Sequence, residues 1–62
     1  MSNEELKEIQ NQILRQIRAM REEVKGDDGQ SALLYAWKEA ENMNLQTAIS
    51  FMMEAERSNQ LE

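Results

Sequence analysis

The chain has 62 residues, 12 of them acidic and 7 basic, for a net charge of −5, and it contains no cysteine, histidine or proline. That length allows a single domain, since domains typically hold roughly 100–200 residues, and a chain this short buries only about 60% of the surface its unfolded form exposes. Disulfides, thiol and imidazole nucleophiles and an imidazole base are excluded by composition, and zinc and haem sites, which rely on cysteine and histidine, are nearly closed, which leaves self-association as the main source of extra burial. Nothing approaches the ~18 consecutive apolar residues of a membrane span, and the polar start has no signal-peptide pattern, so the expected location is cytoplasmic.

The first helix is expected from about residue 3 to residue 25. Ser2-Asn3-Glu4-Glu5 has the spacing of a capping box, and acids at Glu4, Glu5 and Glu8 suit the positive end of the helix dipole. Apolar residues then recur at Leu6, Ile9, Ile13, Ile17, Met20 and Val24, at the period of a straight amphipathic helix. Lys25 suits the negative end, and Gly26 can take a left-handed position just beyond it.

Residues 26–29 read as a tight turn, so the second helix, from about residue 28, folds back beside the first. Asp27 or Asp28 is the expected N-cap, with Gln30 at capping-box spacing from Asp27. Leu33, Ala36, Trp37, Ala40 and Met43 share one face at ~100° per residue, and Trp37 is the expected anchor where the second helix crosses the first. Leu45, Ala48, Ile49 and Met52 centre on another face. This phase slip has two explanations. One is a break at Asn42-Met43-Asn44, with Asn44 capping a third helix; the other is a continuous helix with Asn44 on a packed seam. The break is the preferred reading. The terminal Leu61-Glu62 reads as a cloning scar and carries no weight.

The fold class is therefore all-α: a single helical hairpin domain with a third segment, two copies pairing as a four-helix-type homodimer. The reason for pairing lies in the second half of the chain. Phe51, Met52 and Met53 spread over about 200° of a helix surface, and adjacent Leu34 adds a further direction beside Leu33, so one protomer has too few inward faces for all of them. Leu34, Leu45, Ile49, Phe51, Met52 and Met53 are the expected self-association set.

Catalysis is not expected. Carboxylates are plentiful, but acid–base work needs one in a desolvated pocket, which short helices with a small core do not build. Asp27-Asp28-Gly29 lacks the roughly 12-residue ligand pattern of a calcium loop and serves helix capping better. No phosphate-cradling glycine loop occurs, and no metal or cofactor is expected. Lys7, Arg18, Arg21 and Lys25 gather on one flank of the first helix, with Arg15 at its border; Arg15 and Arg21 have no acid at helical spacing. Leu14 lies among them, apolar where solvent is expected. Leu14, Arg15, Arg18 and Arg21 thus form a candidate edge for a protein partner. The functional expectation is a small, acidic, non-enzymatic regulator or inhibitor of the bacterial or phage kind, acting by binding a larger protein. The alternative is a nucleic-acid-binding helical dimer using the same basic flank, although the net charge opposes a polyanion.

Overall fold

The computed structural model describes residues 2–61, and three helices follow one another: α1 (Asn3–Glu23), α2 (Asp27–Glu41) and α3 (Leu45–Leu61). The side chain of Leu61 and all of Glu62, the pair that reads as a cloning scar, lie outside the described residues. Ser2 opens α1 as its spacing predicts: its hydroxyl accepts a hydrogen bond from the Glu5 amide at 3.3 Å.

The first connection is tighter than the sequence pattern suggests. α1 stops at Glu23 rather than near residue 25, because Val24 leaves the helix in an extended conformation and is buried. Its own N–H still bonds the Met20 carbonyl, at 2.7 Å. Two residues later Gly26 adopts φ 94°, ψ 147° and stands at the N-cap of α2 with no side chain to offer. That backbone geometry is open to glycine at no steric cost, so the turn is placed where the glycine is. Asp27 and Asp28 consequently fall in the first turn of α2, favourable to the dipole, instead of capping it. Gln30 does not close a capping box either. Its Nε2 reaches back to the Arg21 and Val24 carbonyls at 2.9 and 2.7 Å, satisfying acceptors that the end of α1 leaves unpaired.

The second connection settles the phase slip in favour of a break. At the end of α2, Met43 donates to the Ala40 carbonyl at 3.0 Å and Asn44 to the Glu39 carbonyl at 2.9 Å, the paired bonds of a Schellman motif. Met43 occupies the left-handed position, φ 66°, where glycine is usual. Asn44 directly precedes α3, its carbonyl accepting from Ala48 at 3.0 Å and its side-chain amide donating to Glu39 Oε2 at 2.8 Å.

α2 and α3 form the most extensive of the three helix pairings. The reason is size: Gly29, Ala36 and Ala40 on α2 and Ala48 and Ala55 on α3 are all buried, and small side chains let two helix axes approach. α1 packs along this pair, with Ile13 and Ile17 buried against it; Ile17 and Leu33 are the largest wholly buried side chains among the described residues. Long-range amides tie the helix ends together. Gln10 Nε2 donates to the carbonyls of Ala40 and Glu41 at 2.9 and 3.3 Å, so α1 caps the end of α2. Asn59 Oδ1 accepts from the Lys25 amide at 3.0 Å, so α3 holds the first connection. The chain measures 40 × 17 × 15 Å.

Candidate interaction surfaces

Three of the four expected edge residues come together. Asn11, Leu14, Arg15 and Arg18 recur at three- and four-residue steps on one side of α1, and with Trp37 of α2 they line an open groove of about 350 Å³. Arg15 and Arg18 are exposed and Leu14 is half-buried, packed against the core. Arg21 is also exposed but lies beyond the groove, where its carbonyl takes part in the Gln30 clasp. Trp37 serves two surroundings. It packs against the core, as expected of an anchor, yet it is only half-buried, and the rest of the indole lines the groove.

The expected self-association set divides into two groups. Leu45, Phe51 and Met52 are half-buried and pack against the chain's own core. Leu34, Ile49 and Met53 remain exposed, at 55%, 43% and 59%, together with Tyr35 at 59%. Leu34 and Tyr35 are neighbours in sequence and point about 100° apart on α2. Met53 lines a shallow depression on the outer side of α3 with Ser50, Glu54 and Arg57.

A further groove, of about 440 Å³, runs along α2 and α3 and has Asp28, Ala32, Tyr35, Phe51, Glu54 and Ser58 among its walls. One end of it is an aromatic pair: the Tyr35 and Phe51 rings stack with centroids 5.6 Å apart and planes at 25°. Sequence reasoning did not single out Tyr35, Asp28 or Glu54 as a unit. A signal was present in part, since Asp28 and Tyr35 stand two turns apart on one helix and Phe51 and Glu54 one turn apart on another. What was missing was the pairing of the two faces, which depends on how α3 docks.

Among the described residues, no group of three or more acidic side chains stands close enough to hold a metal ion. Among the same residues, no helix is long and apolar enough to cross a membrane. No protein-family model, curated protein or solved structure matches this chain.

Proposed function

We propose that this chain is a non-enzymatic interaction protein, a small regulator or inhibitor that acts by docking the α1/α2 groove onto a larger protein. The observation that carries this reading is the grouping of Leu14, exposed Arg15 and Arg18, and half-buried Trp37 around one groove. Arginine and tryptophan dominate the energetics of protein contacts, because each combines a large flat apolar surface with directed donors. The composition supports the non-enzymatic part, since the chain offers neither thiol nor imidazole. The same reading has two copies pairing through the apolar side chains left outside the protomer core, Leu34, Ile49 and Met53. Their exposure supports a partner-covered surface, because large apolar side chains gain about 1.5–3 kcal/mol each when fully buried.

The test is capture of the partner from extract of the source cells with a photo-crosslinking residue in place of Asn11, on the rim of the groove. The Arg15→Glu/Arg18→Glu chain should lose the captured protein while melting at the same temperature as the parent. Equal capture by both chains would remove the groove from the contact. Titration with duplex DNA and single-stranded RNA separates the competing use of the basic flank: binding that falls by orders of magnitude between low and moderate salt would replace the protein-docking reading. Sedimentation from micromolar to millimolar protein tests the pairing, which a concentration-independent monomer would refute.

A further inference from the structure

We propose that the groove between α2 and α3 binds an arginine-bearing segment of a basic polypeptide, with a guanidinium seated against Tyr35 in a groove whose walls also carry Glu54 on α3 and, two turns away along α2, Asp28. Three observations converge on that chemistry. The Tyr35 ring stacks on Phe51, yet the residue is 59% exposed, so part of it remains open to solvent. Carboxylates stand on both walls of the same groove, Asp28 on α2 and Glu54 on α3, and both residues are exposed. The whole chain carries −5, which draws a basic partner from a distance and repels a polyanion.

The choice of arginine follows from shape. A guanidinium is planar, stacks on an aromatic face and presents a fork of donors to a carboxylate, so one group satisfies the ring and an acid together. A lysine ammonium is a compact, strongly hydrated point charge and meets only one of them well. From Asp28 to Tyr35 the α2 backbone rises about 10 Å, which is room for one arginine and its immediate neighbours. This surface is separate from the α1/α2 groove and opposite in charge, so its occupant differs from the partner proposed for Arg15 and Arg18.

The experiment is an NMR titration of the full chain, amide by amide, with the blocked peptide (Gly-Arg)₃ and its counterpart (Gly-Lys)₃ at physiological salt. Shifts should centre on Asp28, Ala32, Tyr35, Phe51, Glu54 and Ser58, with the arginine peptide binding about fivefold or more tightly than the lysine peptide. Tyr35→Leu keeps the apolar cover over Phe51 and removes the ring; it should weaken arginine binding by that same factor, about fivefold, and so erase the preference over lysine. Asp28→Asn/Glu54→Gln should weaken both peptides while leaving the melting temperature within a few degrees. Equal affinities with shifts spread over Glu4, Glu5 and Glu8 would reduce the effect to net charge and overturn the proposal. So would shifts centred on Leu14 to Arg18, no shift at millimolar peptide, or groove signals that move with protein concentration alone, which would make a second copy the occupant.

Discussion

Gly29→Ala gives the most direct test of the packing at the first connection. Gly29 is the third residue of α2 and is buried. A Cβ built there would overlap Val24 Cγ1 and would stand 3.6 Å from the Ala55 carbonyl oxygen. The second contact is ordinary, so α3 has no reason to move. The first is not, and the valine resists turning away because a β-branched side chain is stiff at χ1. Overpacking of this kind costs about 1–3 kcal/mol, against which the better helix propensity of alanine returns about 0.5–1 kcal/mol. The net expectation is a loss of about 1 kcal/mol, which lowers the melting temperature by about 4–8 °C in a domain of this size. Val24→Ala alone removes two buried methyl-sized groups and should cost about 2 kcal/mol. In that background the overlap is gone, and Gly29→Ala should stabilise by about 0.5–1 kcal/mol. A double-mutant cycle read by chemical and thermal denaturation should therefore show a coupling of about 1–3 kcal/mol, well outside the ~0.5 kcal/mol scatter of independent sites. A Gly29→Ala chain more stable than the parent, or a cycle that adds, would refute the close approach of Val24 to α2.

The two positive-φ positions should respond in opposite directions. Met43→Gly relieves a left-handed strain of roughly 1–2 kcal/mol and should raise the melting temperature by a few degrees, whereas Gly26→Ala creates a comparable strain and should lower it. Gln30→Ala leaves the Val24 and Arg21 carbonyls without their donor and should cost about 1–2 kcal/mol; Gln30→Glu should cost more at neutral pH, since a carboxylate cannot donate to them. Leu33→Ala empties a wholly buried site and should cost about 2–5 kcal/mol. For a chain of this length, where total stability is about 3–9 kcal/mol, circular dichroism should then show a substantially unfolded population at 37 °C.

The helices were legible where local chemistry decides them. The Ser2 cap and the stripe through Ile13 and Ile17 follow from spacing and side-chain type alone, whereas the interruption near Asn44 is the preferred of two readings that the phase slip allows. What escaped was everything settled by one helix meeting another. Gln10, Gln30 and Asn59 read as neutral surface amides, yet each closes a helix end or a connection through a backbone group 6 to 34 residues away in sequence. Gly29 reads as a turn residue and is in fact a buried packing residue inside α2. Asp27 and Asp28 have the chemistry of N-caps, but the start of α2 is dictated by Gly26, whose backbone reaches a conformation closed to them. The expected partner edge was readable because its members lie on one helix; the addition of Trp37, and the second groove around Tyr35, required the neighbouring helix in place.

The uneven division of contacts among the helices has a consequence for how this molecule comes apart. α2 and α3 are zipped along a seam of alanines, while α1 is held by a short row of isoleucines and by clasps at its extremities. Partial opening should therefore begin with α1 lifting away as a rod, and the hairpin it leaves behind should retain its amide protons longest in deuterium. Such an opening would bare Leu33 and the flank of Trp37, so any protein that grips α1 from outside also tightens or loosens the lid over the molecule's own interior.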